Sequence, residues 1–185
     1  MESSPPGTFW TYEEAKEKCN ERYSCFVEVE AKEHMSLSPY YIGRIKKGVE
    51  EEIERKIQRW KFLDEYQGII VAYDSIKLLQ RSAEIHDDSP LIHFDIRVNY
   101  IVFKPEIGKK LVGVVNKTSS THVGCLVYDH FNASLAKPSF SQNGWIGDRL
   151  NIGTEFIFRI SDLQSVGGLL SIAGQIKDKD AKHFR

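Results

Sequence analysis

The chain has 185 residues, a formal net charge of -1, 41% hydrophobic residues and 28% charged residues. That composition excludes an intrinsically disordered chain, and near-neutrality excludes nucleic-acid binding driven by whole-domain charge. The longest apolar runs, such as Ile69 to Tyr73, are too short to cross a bilayer as a helix.

The opening Met1-Glu2-Ser3-Ser4-Pro5-Pro6 has neither a basic start nor an apolar core, so no secretory signal is expected there. Cys19, Cys25 and Cys125 are odd in number and form no C-x-x-C. Reduced thiols are expected, rather than a disulfide framework or a zinc site.

Residues 1–9 read as a flexible start. Thr11 followed by Glu14 predicts a capping box and a short helix through Arg22. Tyr23 to Glu30, with Phe26, Val27 and Val29, predicts a strand. Ser38-Pro39 predicts the start of the clearest helix, since serine caps well and proline suits the first helical position. Ile42, Ile45, Val49, Ile53, Ile57 and Trp60 then form one apolar stripe. Lys46, Lys47, Glu50, Glu51, Glu54 and Arg55 mark the opposite, solvated face.

Gly68 to Tyr73 and Ile76 to Glu84 predict two further strands, with a turn at Asp87-Asp88-Ser89-Pro90. In Leu91 to Phe103, Ile92, Phe94, Ile96, Val98, Tyr100 and Val102 alternate with His93, Asp95, Arg97 and Asn99. Residues 10–103 are therefore expected to form an α+β domain, an antiparallel sheet with a long helix on one face.

Lys104-Pro105-Glu106 breaks the pattern and places a domain boundary. Five strands follow: Lys109 to Asn116, His122 to Tyr128, Ala133 to Ala136, Thr154 to Ile160, and Leu169 to Ile176. Ser165-Val166-Gly167-Gly168 closes the last hairpin. Gly113 and Gly124 sit where a small barrel needs bends. Residues 104–178 are expected to be an all-β OB-type barrel, with 179–185 a flexible end. Pro138 to Gly153 reads as a surface loop whose Trp145 either packs back or meets a partner.

No catalytic, cofactor or metal site is expected. His86-Asp87-Asp88 is ordinary turn chemistry, and no second histidine pair stands at ligand spacing. His93 and Asp95 share one strand face, which suits an acid–base pair but equally a plain polar face. Cys125 alternates with Val123 and Val127 and reads as a core residue. Neither a Walker loop nor G-x-S-x-G is present.

More specific residues run from Gly108 through Gly113, Asn116-Lys117, Ser119-Ser120 and His122 to Gly124-Cys125 and Val127. They continue in Phe131-Asn132-Ala133-Ser134-Leu135 and Lys137-Pro138. Upstream stand Arg22-Tyr23-Ser24-Cys25, Leu37-Ser38-Pro39-Tyr40, Ala72-Tyr73-Asp74-Ser75-Ile76-Lys77 and Phe103-Lys104-Pro105. This ordered series, spanning about residues 10 to 178, resembles the larger stalk subunit of eukaryotic RNA polymerase I. The stalk subunits of RNA polymerases II and III and of archaeal RNA polymerase are related to that family.

The resemblance implies a tip domain followed by an OB domain. It also implies a non-catalytic accessory subunit of a nuclear, nucleolar enzyme. The implied partners are a small stalk subunit, the RNA polymerase I core, the polymerase I-specific initiation factor and nascent single-stranded RNA; no membrane is implied. OB-type RNA-binding modules of ribosomal proteins place aromatics around the strand-two glycine and a histidine in strand three. The matching positions here are Val123, Leu126 and Ser134, so most of the stacking platform is missing. The remaining candidate RNA contacts are Lys117, His122, Tyr128, His130, Phe131 and Lys137. His122 and Tyr128 are expected on the outer barrel face, and Phe131 reads more readily as a barrel plug. Two alternatives stay open: a free-standing OB-type RNA-binding protein, and the stalk subunit of another nuclear polymerase. A third, weaker reading is an enzyme using His86 or His93.

Overall fold

The capping box forms as the sequence predicts. Thr11 Oγ1 accepts from Glu14 N and the Glu14 carboxylate accepts from Thr11 N, opening helix α1 over Tyr12–Cys19. The helix stops three residues short of Arg22. Asn20 caps it, and Tyr23 takes φ 64°, which no helix or strand accommodates. These are the first elements of a computed structural model that describes residues 10–85, 90–138 and 145–176. The turn expected at 87–90, residues 139–144 of the 138–153 loop and both ends expected to be flexible lie wholly or partly outside the described residues, as does the His86-Asp87-Asp88 cluster.

The backbone divides into two compact units, Met1–Asn20 with Phe26–Lys104, and Glu21–Cys25 with Pro105–Arg185. In the first, strand β1 runs from Phe26 to Leu37, starting later and ending seven residues later than predicted. Ser38 caps a single 3-10 turn, Pro39–Tyr41, and not the long helix itself. Gly43 at φ 78° then breaks the chain, and α2 covers Ile45–Gln58. Ile42 is left exposed by that break. The stripe holds for Val49, Ile53 and Ile57, all buried against the sheet, with Ile45 partly buried beside them. Lys46–Glu50, Lys47–Glu51 and Arg55–Glu52 pair along the solvated face.

Strands β2 (Phe62–Leu63), β3 (Gly68–Leu78), β4 (Glu84–Ile85) and β5 (Ile92–Phe103) complete an antiparallel sheet. Its order is β1-β5-β3-β2, with β4 also on β5. The two strands predicted at 68–73 and 76–84 are mostly one. A bulge at Asp74–Lys77, with Ser75 at φ 57°, keeps β3 paired to β5 through Leu78. β5 is central, and its predicted inner residues are all buried. Ile101 and Phe103 on its other face are buried too. There Phe103 packs on Phe26, Phe26 on Trp10, and Trp10 on Trp60.

The second unit holds β6 (Lys110–Thr118), β7 (His122–Val127), β8 (Phe131–Ala136), β9 (Glu155–Val166) and β10 (Leu169–Gln175). They close into a barrel of order β10-β8-β7-β6-β9, with β8 and β10 parallel and the other pairs antiparallel. This is OB topology. Gly167 and Gly168 both have positive φ, which the tight β9–β10 hairpin requires. Val123, Cys125 and Val127 point inward as expected, with Phe131, Ala133 and Leu135 beside them. Among the described residues no helix is long and apolar enough to cross a membrane.

Burial pushes the Cys125 thiol up to about 12, and it also raises the buried Cys25 and the partly buried Cys19. The thiolate is the reactive form. In the native chain near neutral pH, a maleimide is therefore expected to modify Cys19 first. Cys25 and Cys125 should react only after denaturation. Mass spectrometry of a labelling time course checks this, and fast native labelling of Cys125 would contradict the buried barrel position.

Candidate nucleic-acid interface

The outer face of β6, β7 and β8 is the surface on which an OB barrel meets a single strand. It is built in cross-strand rows. Val114, Leu126 and Asn132 make one row, and Lys117, Gly124 and Ser134 the next. His122 and Ala136 stand at its end. Aromatic rings are absent from these rows. A bulge between Val115 and Lys117 lays Asn116 over Gly124, where an added Cβ would come 3.1 Å from Asn116 Oδ1. The glycine thus makes room for a bulge residue and not for a base.

The structure separates the six candidate contacts. Lys117, His122 and Lys137 lie at one end of the β7–β8 pair, and Tyr128 and His130 in the turn at the other. Five residues of strand between His122 and Val127 correspond to roughly 17 Å. At the first end, His122 Nδ1 lies 3.1 Å from Thr121 Oγ1, which lies 3.3 Å from Ser119 Oγ. Lys137 N donates to Thr121 O at 2.8 Å, tying β8 to this hairpin. Lys137 Nζ is already engaged, 2.8 Å from Asp148 Oδ2 and over the Trp145 ring. Lys117 is exposed and has no ion-pair partner among the described residues.

At the other end β7 stops at Val127, one residue before its predicted end. Tyr128 and Asp129 both take positive φ, 52° and 61°. That turn lifts Tyr128 out of the strand alternation, so it does not share a strand face with His122. His130 is partly buried, and desolvation lowers its pKa below the ordinary histidine value. Phe131 is 5% exposed and faces the barrel interior. It is a plug, with no ring face open to a base. Trp145 is buried as well, its ring packed over Gly147.

The sequence reading overlooked Ser119 and Thr121, the hydroxyls around His122. Their signal was the hydroxyl-rich run Thr118-Ser119-Ser120-Thr121. It also overlooked Asp148, which neutralises Lys137. Spacing could not reveal that partner, because it comes from the loop beyond β8.

Residues 105–182 match the family model described as the RPA43 OB domain in RNA Pol I. The human DNA-directed RNA polymerase I subunit RPA43 is 38% identical over 168 residues, 90% of this chain and 49% of its own length. The mouse subunit is 36% identical over 84% of this chain and 47% of its own length. The zebrafish subunit is 34% identical over 90% of this chain and 42% of its own. The chain spans about half the length of these curated relatives. Their similarity reaches well beyond the barrel into the first unit. Residues 105–182 are thus similar to the RPA43 OB domain, and the chain over most of its length is similar to RPA43 subunits of RNA polymerase I.

Proposed function

We propose that this chain is a non-catalytic subunit of RNA polymerase I, working in the nucleus and nucleolus as the larger half of the stalk. One observation carries the reading. Similarity to RNA polymerase I subunits runs through 90% of the chain, across both units and not over the barrel alone. A free-standing OB protein would be expected to share only the barrel. In this reading the first unit is the tip that plants the stalk on the polymerase core. The chain pairs with a small stalk subunit and receives the polymerase I-specific initiation factor. Affinity purification of the tagged chain from nuclear extract tests it. Recovery of the polymerase I large subunits and a small stalk partner is expected. Recovery of RNA without polymerase would replace the reading with that of an independent OB protein.

RNA contact is secondary in this reading. The cross-strand rows of the outer barrel face carry no Phe, Tyr or Trp, and Lys137 is tied to Asp148. Single-stranded RNA is therefore expected to bind the isolated chain weakly, in the micromolar range or above, with an affinity that falls as salt rises. Lys117→Ala with His122→Ala should weaken it further, whereas Tyr128→Ala should change it little. Fluorescence anisotropy measures all three. Nanomolar binding, or dependence on Tyr128 alone, would overturn this part.

A further inference from the structure

One face of the first unit's sheet carries a cluster of polar side chains on β1 and β5. β1 and β5 pair so that His34 stands opposite Asp95 and Ser36 opposite His93. His34 Nδ1 lies 3.0 Å from Asp95 Oδ1, and His34 Nε2 lies 3.2 Å from His93 Nδ1. Lys32 Nζ lies 3.3 Å from the other Asp95 oxygen.

This geometry fixes protons. An ionised carboxylate only accepts, so His34 carries its proton on Nδ1 and, when neutral, has a lone pair on Nε2. That lone pair points at a second imidazole nitrogen. Two imidazole nitrogens on one tetrahedral ion, each at 2.0–2.1 Å, stand about 3.3 Å apart. The observed 3.2 Å already matches that span. For chelation the His93 proton that bridges to His34 Nε2 must leave Nδ1, for Nε2 or for solvent, and each ring must turn until both lone pairs meet at one point. A carboxylate on the far nitrogen of a ligating histidine is the usual outer-sphere support of such sites, and Asp95 occupies that position.

We propose that His34 Nε2 and His93 Nδ1 chelate one borderline divalent transition ion, Zn²⁺ or a metal of similar preference, with Asp95 as the residue that orients His34. Among the described residues no third His, Cys, Asp or Glu completes the set, so the remaining positions take water. His34 is 61% exposed, which leaves the ion reachable from solvent. The ion would tie the edge strand β1 to the central strand β5. It is a clamp and not a reaction centre.

Isothermal titration of the full chain with Zn²⁺, Ni²⁺ and Cu²⁺ tests this. One saturable equivalent is expected, with Cu²⁺ tightest and no competition from Mg²⁺ or Ca²⁺. Binding should weaken as pH falls, because protons compete with the ion for the ligating imidazole nitrogens. His34→Gln and His93→Gln should each weaken binding at least about tenfold, and the double variant should abolish it. Asp95→Asn should weaken binding about ten- to a hundredfold while leaving one equivalent. Metal should raise the melting temperature of the parent chain but not of the double variant. No saturable binding, or binding that survives in the double variant, would overturn the assignment. These variants sit on an exposed polar strand face, and circular dichroism of each confirms that it folds.

Discussion

Replacing Phe158 with alanine is expected to destabilise the barrel unit by about 3–5 kcal/mol. Phe158 lies on β9 and is fully buried. Its ring spreads over both neighbouring strands, because each has a glycine there. A Cβ on Gly174 of β10 would come 2.3 Å from its Cδ2, and one on Gly113 of β6 3.1 Å from its Cε1. The ring thus takes the place of a missing side chain at Gly174 and shares that at Gly113 with Cys125, whose Sγ would lie 2.8 Å from the added Cβ, at the seam where β6, β9 and β10 close the barrel. Alanine would leave a void that three paired strands cannot collapse to fill. For a unit of this size the melting temperature should fall by roughly 12 °C or more. Gly174→Val should be damaging from the opposite direction, by overpacking against the same ring. Thermal unfolding followed by circular dichroism measures both. A Phe158→Ala chain melting within a few degrees of the parent would show that this ring does not hold the seam.

Lys56→Met is expected to cost about 1.5–3 kcal/mol, the worth of a hydrogen bond to a charged group that is then left half-served. Glu33 points inward from β1, and its side chain is 12% exposed. It accepts from Lys56 Nζ at 2.7 Å and from the Tyr66 hydroxyl. The Lys56 ammonium also lies over the rings of Tyr66 and Tyr100, 5.4 and 5.6 Å from their centroids. Burial beside this carboxylate pushes the Tyr66 phenol well above its ordinary value, so it stays a donor across the usable pH range. Removing the lysine strands the carboxylate, whereas removing both charges does not. Lys56→Met combined with Glu33→Leu should therefore recover part of the loss. Chemical denaturation of the parent, both single variants and the double variant completes a double-mutant cycle. Additive losses would mean that the two side chains act independently.

Much of this molecule follows from local pattern. The Thr11–Glu14 box, the 45–57 stripe, the inner residues of β5 and the Gly167-Gly168 hairpin each depend on residues close together in the chain. Alternation along β7 likewise identified Val123, Cys125 and Val127 as inward-facing, because a strand's period of two needs no partner to be read.

What the sequence did not determine was decided by backbone breaks and cross-strand partners. Ser38-Pro39 looked like a helix start, but Gly43 at positive φ interrupts the chain before α2 can form. A strand predicted in two pieces became one, because β5 keeps pairing across the bulge at Ser75. Tyr128 left the face of His122 because its backbone turns before the strand can include it. Lys137, a candidate RNA contact, is paired with Asp148, which comes from the loop beyond β8. His93 and Asp95, paired in the sequence reading because they lie two apart, are joined through His34 on the neighbouring strand. A one-residue change in the β1–β5 register would move that histidine to the opposite face. The sequence by itself therefore determined the cap of α1, the apolar stripe of α2, the inner faces of β5 and β7, and the family resemblance. Only the tertiary structure decided which charges meet, because register is a property of two strands and neither carries it alone.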